Sequence, residues 1–494
     1  MDGRSFAMEK RAMELSIGID VGTTGVRAMA ASLDGEMVAA VQCDFPAGTT
    51  RCEGPTVEQS PHVWTETVWH VLHQLGAILL REKPIPEVVG IAVDATSGTF
   101  LLLDHAHSPI TPGILYSDLR AADLCAEAQN ALRDVLQPYG IGIAPAFALC
   151  KLLFIKRNNP ELIDRCRSVV HQTDYIVGML TGCFEVTDVS SALKTGVNPG
   201  TLEWPAEIEH TLGLPLDRFP RVRPSGEVIG YLTDAAAGQS GLPRGIPVVS
   251  GCTDGTAAAV ASGIKAPGDL NVTLGTTLVF KGGSESPLVD TGERIYNHRH
   301  PDGGYLPGAA SSAGAGWVRT ATSDVSLPHL EAQAAERIPT GRYVYPLETE
   351  GERFPFSCPT AKGFGLTEIT DVAERFAAGM EGIAYLERMG IGVLESLGLP
   401  RTNATHATGG ATKNDLWLRI RAAVSRRSML VPQNPASAFG SAILAGAPRL
   451  GSCRDAQNQM VRVRHCVDPD ERLALAYDEG YVAFRDALAQ RGYR

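Results

Sequence analysis

Two short stretches of this chain carry the same Gly-Thr-Thr turn between apolar runs. Ile17-Gly-Ile-Asp-Val-Gly-Thr-Thr-Gly-Val-Arg27 is an apolar run, a Gly-Thr-Thr turn and the start of a second apolar run through Ala28-Met-Ala-Ala-Ser-Leu33. Asp34-Gly35 then supplies the kind of turn that closes a β-hairpin. The glycines therefore stand between two strands. A dinucleotide fingerprint needs a helix at that point, and a P-loop needs a lysine that is missing here. What remains is a tight turn with free N–H groups, two hydroxyls (Thr23, Thr24) and one carboxylate (Asp20). N–H groups and hydroxyls suit phosphate oxygens. The carboxylate suits a hydrated Mg2+ that travels with phosphates. A Gly-rich hairpin whose aspartate only satisfies local N–H groups is the alternative.

Asp269-Leu-Asn-Val-Thr-Leu-Gly-Thr-Thr-Leu-Val-Phe280 repeats the pattern about half a chain later. Upstream of it, Val248-Val-Ser-Gly-Cys-Thr-Asp-Gly-Thr-Ala-Ala-Ala259 reads as a strand, a turn bearing Asp254 and an Ala-rich helix. Downstream, Thr408-Gly-Gly-Ala-Thr-Lys-Asn414 is a Gly-rich turn, followed by the helical pattern Asp415-Leu-Trp-Leu-Arg-Ile-Arg421. A carboxylate at the Asp254 position can take a hydroxyl proton, and the adjoining helix start offers N–H groups to phosphate oxygens. A helix N-cap is the other use of such an aspartate.

These four motifs in this order, with Ala438-Phe-Gly-Ser-Ala-Ile-Leu-Ala-Gly446 closing the series, resemble the FGGY family of carbohydrate kinases, within the sugar kinase, Hsp70 and actin superfamily. The resemblance runs from about Leu15 to Gly446. It implies an α/β fold of two actin-like (ribonuclease H-like) domains with a ligand cleft between them, ATP with Mg2+ as cofactors and a small sugar as partner. It makes Asp254 the general base. Gly22, Thr23 and Thr24 match the first phosphate hairpin, and Gly275, Thr276 and Thr277 the second. Gly409, Gly410, Ala411 and Asn414 match the adenosine turn, which could also be a plain helix-entry loop. Asp20 falls on the phosphate and metal side and close to the sugar.

Sugar contacts are expected from Val93-Asp-Ala-Thr-Ser-Gly-Thr99, with Asp94 and Ser97 foremost beside Asp20 and Asp254. This segment departs from the family's Met-His pair of many xylulokinases and the Arg-Glu pair of glycerol kinases. Its small hydroxyls resemble the D-ribulokinase-like pentulose kinases. Tyr116-Ser-Asp-Leu-Arg120, Ser190-Ser-Ala-Leu-Lys-Thr-Gly196, Tyr345-Pro-Leu-Glu and Gly351-Glu-Arg-Phe-Pro-Phe356 resemble that subgroup too. Ser97 and Thr99 could also be turn residues, and Asp118 with Arg120 a surface ion pair of little energetic weight. The resemblance thus implies transfer of the γ-phosphate of ATP to a small ketose, D-ribulose foremost, with D-xylulose, L-ribulose or a polyol as alternatives. A non-catalytic nucleotide-binding protein on the same fold is the reading from another class. Asp254 argues against it, because such a protein needs no base there.

The elements around these motifs are those of a globular α/β chain. It has 494 residues, 44% of them hydrophobic, and 52 glycines, enough for two domains. We expect them over 14–245 and 246–490, with Leu242-Pro-Arg-Gly-Ile-Pro-Val-Val-Ser250 as the entry to the second. The net charge of −11 disfavours nucleic acid. Ten cysteines without CxxC spacing suit reduced thiols in the cytoplasm. No run reaches membrane-spanning length, and a homodimer is compatible with such a chain. Residues 1–13 read as a loose tail without a signal-peptide core. His62–His73 and Glu374–Arg388 have helical spacing, and Cys150–Arg157 a helix that Asn158-Asn159-Pro160 ends. His171, His298 and His300 lack metal-ligand spacing with acidic partners, so they read as structural or surface residues.

Overall fold

The computed structural model describes residues 12–321 and 326–493, so all but the last two residues of the expected tail lie outside it. The chain forms two units. The first comprises residues up to Val135, Ile143–Ala261 and Ala436–Met460; the second comprises Leu136–Gly142, Ser262–Pro435 and from Val461 on.

The first unit is built on a seven-stranded sheet of β1 (Glu14–Val21), β2 (Gly25–Ser32), β3 (Met37–Asp44), β4 (Glu87–Ala95), β5 (Val228–Tyr231), β6 (Pro247–Val249) and β7 (Cys252–Thr253). The order is β5-β6-β4-β1-β2-β3, with β7 also paired to β4. β1 and β2 are antiparallel, whereas β4 runs parallel to β1, and β6 and β7 run parallel to β4. Alternation along β1 decides its two faces. Leu15, Ile17, Ile19 and Val21 enter a core with Trp64, Val68 and Leu72. These come from the helix Pro61–Leu79, whose apolar residues recur every three or four positions. The opposite face bears Ser16, Gly18 and Asp20, and the helix Ser437–Leu450 lies against it. A Cβ on Gly18 would fall 1.9 Å from the Ala438 carbonyl oxygen, so only glycine admits that approach.

The expected boundary at Gly245 falls inside this unit. β6 and β7 pair with β4, and the helix Asp254–Ser262 follows them, so the division comes after Ala261. The last stretch of the unit, Ala436–Met460, returns from beyond most of the second unit.

The second unit repeats the pattern. Its sheet contains β8 (Leu270–Leu274), β9 (Leu278–Gly282), β10 (Tyr296–Arg299), β11 (Tyr305–Ala310), β12 (Ala404–Thr408), β13 (Ser428–Pro432) and β14 (Val463–Val467). The order is β10-β11-β9-β8-β12-β13-β14. β8 and β9 form an antiparallel hairpin, and β12 is parallel to β8. The core holds Phe280, Trp317, Phe354, Met380, Tyr477 and Phe484. Among the described residues, no helix is long and apolar enough to cross a membrane.

Glu381, on the helix Val372–Ser396, sits in that core. Its carboxylate accepts hydrogen bonds from Tyr477 Oη (2.9 Å) and from the Thr340 N–H and hydroxyl. Burial outweighs these bonds and raises its pKa to about 7. The folded state therefore keeps a proton that the unfolded chain loses near pH 4.5. Stability should fall as pH rises from about 4.5 to 7, by up to about 3 kcal/mol. Glu381→Gln should flatten that slope in denaturant titrations at pH 5 and pH 7.5. An unchanged slope would refute the assignment.

Candidate active site

In the first unit three carboxyl groups come to one end of the sheet through strand direction alone. Asp20 is the penultimate residue of β1 and is in register with Asp94, the penultimate residue of β4. Cys252 of β7 is also in register with Asp94, and β7 ends at Thr253, so Asp254 follows at once. All three strands are parallel. In open α/β sheets the ligand lies outside the carboxyl ends of such strands.

The surroundings set the charge of each acid. Asp94, expected among the sugar contacts, is fully buried. One carboxyl oxygen accepts from Ser441 Oγ at 2.6 Å and the other accepts no hydrogen bond. Burial, and then the neighbouring Asp20, push its pKa well above the carboxylate range. Burial thus favours its protonated form, and it stands behind Asp20 in the sheet. Burial also raises Asp20, against the pull of the Arg27 guanidinium 3.4 Å away. Its side chain is 14% exposed, so it has access to a ligand. Asp254 is half-buried, and its Oδ1 accepts from the Gly255 N–H at 2.7 Å. The turn of the first hairpin is held by its own Gly22 N–H to Gly25 carbonyl bond, and Gln59 donates to the Thr23 carbonyl at 2.8 Å. Thr23 is half-buried and Thr24 exposed.

The loop after β4 is braced by hydrogen bonds. Thr96 donates to Gln172 at 2.8 Å and its hydroxyl meets that of Thr99 at 2.7 Å. The Ser97 hydroxyl is buried and has no hydrogen-bond partner. Thr96 and Thr99 thus shape the turn, and Ser97 is the hydroxyl left over. Lys194, which had no individual role in the Ser190–Gly196 motif, donates from Nζ to the Ser97 carbonyl at 2.9 Å. Burial lowers its pKa, while the charge of Asp254 opposes that. The same segment reaches the neighbour of Asp254 from another side. Ser190 Oγ donates to Asp188 at 2.6 Å and accepts from the Thr253 N–H at 2.9 Å. The run Asp188–Thr195 therefore fixes both the Ser97 loop and the residue before Asp254. Lysine and serine on a turn are everyday surface types, and no local pattern announces such a brace.

Asp118 and Arg120 are not a surface pair. Asp118 is fully buried, is bound by both Nε and Nη2 of Arg120 and accepts from the Val57 N–H at 2.7 Å. Glu58 completes the cluster at 2.6 Å from Arg120. His171 is structural, as expected: its ring nitrogens meet Asp174 at 2.7 Å and Thr195 at 2.8 Å.

In the second unit, Gly275, Thr276 and Thr277 form the turn between β8 and β9, and Gly409 follows the end of β12. The two turns share one sheet end because β8 and β12 are parallel. The hydroxyls of Thr273 and Thr408 meet at 2.7 Å just before them. Thr276 and Gly410 are exposed, and Gly275, Thr277 and Gly409 half-buried. Gly409 has φ +89°, and a Cβ there would lie 2.4 Å from the Leu274 carbonyl oxygen. Ala411 is nearly enclosed at 8% exposure. Asn414 caps the helix Asp415–Ser425 by accepting from the Trp417 N–H at 2.7 Å. The Gly351–Phe356 stretch puts Glu352, Phe354 and Phe356 in the core: Glu352 accepts from Ser311 Oγ and from the Oη of Tyr345, itself part of the Tyr345–Glu348 stretch.

Models of the FGGY family of carbohydrate kinases match the chain twice, the N-terminal domain over residues 15–261 and the C-terminal domain over 270–448. The xylulose kinase of Escherichia coli (strain K12) is 27% identical over 421 residues, covering 84% of this chain and 85% of the relative. The gluconokinase of Bacillus subtilis (strain 168) is 24% identical over 484 residues, covering 93% of each. Among solved structures, the xylulose kinase from Rhodospirillum rubrum superposes with a TM-score of 0.84 at 27% identity, over 96% of this chain and 98% of that one.

Proposed function

Since the chain belongs to the FGGY family of carbohydrate kinases and is an ATP-dependent sugar kinase, we propose that its acceptor is a five-carbon ketose, D-ribulose foremost, and that Asp254 is the base. The observation that carries the acceptor reading is the Ser97 hydroxyl, buried yet unpaired, in the loop that leaves β4 two residues after Ala95. A buried hydroxyl without a partner is costly unless a ligand completes it. D-xylulose is the second reading, favoured by the names of the relatives.

Asp254 takes the proton of the attacking sugar hydroxyl as its oxygen bonds to the γ-phosphorus and the bond to the β-phosphate oxygen breaks. Ser190, through the Thr253 N–H, fixes where that carboxylate starts. Lys194 keeps the Ser97 loop in place and adds a positive charge that favours the ionised base. N–H groups and hydroxyls at Gly22, Thr23 and Thr24 suit phosphate oxygens, as do those at Gly275, Thr276 and Thr277. Gly409, Gly410, Ala411 and Asn414 would receive the adenosine.

Mg2+ fits the first unit. Asp20 is reachable, its side chain 14% exposed, with the buried Asp94 behind it. Among the described residues no three acidic, His or Cys groups cluster as a metal cage. A single carboxylate suffices for an ion that keeps its waters and phosphate oxygens. When bound, the ion would neutralise phosphate charge.

Two measurements address these assignments. A kinase assay over D-ribulose, D-xylulose, L-ribulose, gluconate, glycerol and a hexose should give the highest kcat/KM on D-ribulose. Ser97→Ala should then weaken sugar use by about 1–3 kcal/mol while ATP use stays level. Top efficiency on glycerol or a hexose would overturn the acceptor, and an unaltered sugar KM and kcat in Ser97→Ala would overturn the role of Ser97. On the nucleotide side, Gly409→Ala should raise the ATP KM by about tenfold, because the backbone there is left-handed and the Cβ meets a carbonyl. Gly410→Ala, which meets nothing within 4 Å, should change it little. Equal effects of the two would contradict the close packing of this turn.

A further inference from the structure

Two of the ten cysteines, both in the first unit, are neighbours. Cys125 opens the helix Cys125–Leu136, and Cys150 lies in the first turn of the helix Ala148–Asn158. Their Sγ atoms are 3.4 Å apart. Cys125 is half-buried and Cys150 buried. A disulfide needs about 2.05 Å between sulfurs, so an approach of about 1.4 Å joins them.

The pair is tied to the loop that bears Ser97. Lys151, next to Cys150, donates from Nζ to the carbonyls of Leu115 (2.8 Å) and Tyr116 (3.2 Å). The Tyr116 N–H in turn donates to the Thr99 hydroxyl at 3.3 Å. Ala146, four residues before Cys150, packs its carbonyl oxygen 2.4 Å from where a Cβ on Gly98 would be. The segment from Leu115 to Cys125 is thus held at one end by the neighbour of Cys150, and Cys125 itself forms the other end. Shortening the gap between the sulfurs pulls on that segment and on the loop 96–99 it supports.

We propose that Cys125 and Cys150 are a reversible oxidation site whose disulfide weakens sugar binding; the effect on sugar, though not the cross-link, rests on the placement of the acceptor at Ser97. The oxidant is a peroxide. The half-buried Cys125 reacts first, since burial pushes the Cys150 thiol well up. The Cys125 thiolate attacks a peroxide oxygen, forming the S–O bond of a sulfenic acid and breaking O–O. The departing hydroxide takes a proton and leaves as water. Cys150 sulfur then attacks Cys125 sulfur, the S–O bond breaks, and the hydroxide leaves with the Cys150 proton as a second water. Two thiols lose two electrons and hydrogen peroxide becomes two waters. A dithiol reverses the bond by exchange.

The test uses the full chain treated with hydrogen peroxide, capped with an alkylating reagent, digested without reduction and analysed by mass spectrometry. The expected result is a Cys125–Cys150 linked peptide that dithiothreitol removes. The sugar KM should rise severalfold with the link and return with reduction, while the ATP KM stays level. Cys125→Ser should have ordinary activity, no link and no response to peroxide. Links at other cysteines, or over-oxidation of Cys125 without a link, would overturn the site. A complete link with an unmoved sugar KM would overturn the regulation. Failure of the pentulose reading shows separately, as absent pentulose turnover in untreated protein, and leaves the peptide result intact.

Discussion

Asp254→Asn should lower kcat by about a hundredfold or more while ATP still binds. The change keeps the size of the side chain and an acceptor for the Gly255 N–H, which the Asp254 Oδ1 now receives at 2.7 Å. The fold around it should persist, because β7 stays paired to β4 and the Ser190 bond to the Thr253 N–H involves no atom of Asp254. What is lost is a basic oxygen for the hydroxyl proton. Steady-state kinetics on the best sugar, with calorimetric titration of ATP, separates the two effects. A folded variant with near-normal turnover would remove Asp254 from the mechanism.

The largest stability effect is expected in the second unit. Arg421, on the helix Asp415–Ser425, and Glu387, on the helix Val372–Ser396, form a two-pronged ion pair at 2.6 and 2.9 Å. Their side chains are 0% and 1% exposed. Arg421 also reaches the carbonyl of Val272 in β8 at 3.4 Å, and its Nη1 has no partner. Two helices are thereby fixed to the strand that leads into the Gly275 turn. Glu387→Leu leaves a guanidinium buried without compensation and should cost about 3–5 kcal/mol. Arg421→Met combined with Glu387→Leu should recover most of that loss, since neither charge then remains. Urea unfolding of the single and double variants distinguishes this from simple loss of packing, which would make the double variant worse than either single one.

The two Gly-Thr-Thr hairpins, the Asp254 turn and the flanking helices were legible because each is a local pattern. Period-two apolar runs, turn residues and helix starts are written within a dozen positions. Pairing is not local. Nothing within Pro247–Val249 says that it joins a strand more than 150 residues earlier, so a sequence break near Gly245 looks like a boundary when the sheet continues. The same holds for acids whose environment comes from elsewhere. Asp94 sits in a segment rich in hydroxyls and suggests a sugar contact, but its enclosure depends on Ser441, 347 residues away. Asp118 and Arg120 look like a surface pair because their spacing is short, yet Asp118 is buried and bound by the Val57 N–H, and Glu58 holds Arg120. Ser190 and Lys194 stand in a stretch that resembles the pentulose subgroup, but the brace each provides becomes visible only when the loops are in place.

The returning stretch Ala436–Met460 has a consequence for how the protein is made. A ribosome delivers β1 first and the helix that covers it more than 400 residues later. Until then Gly18, Asp20 and Asp94 have one face of their sheet without its final cover. The second unit by then has most of its chain but still lacks its last strand and the helix that brings Tyr477 and Phe484 into its core. The first-translated half is thus among the last to be completed, and any truncation before Ser441 would release a chain whose central strands still expose a face made to meet a helix. Such a nascent chain is one on which a chaperone that recognises bare sheet faces would have the longest time to act.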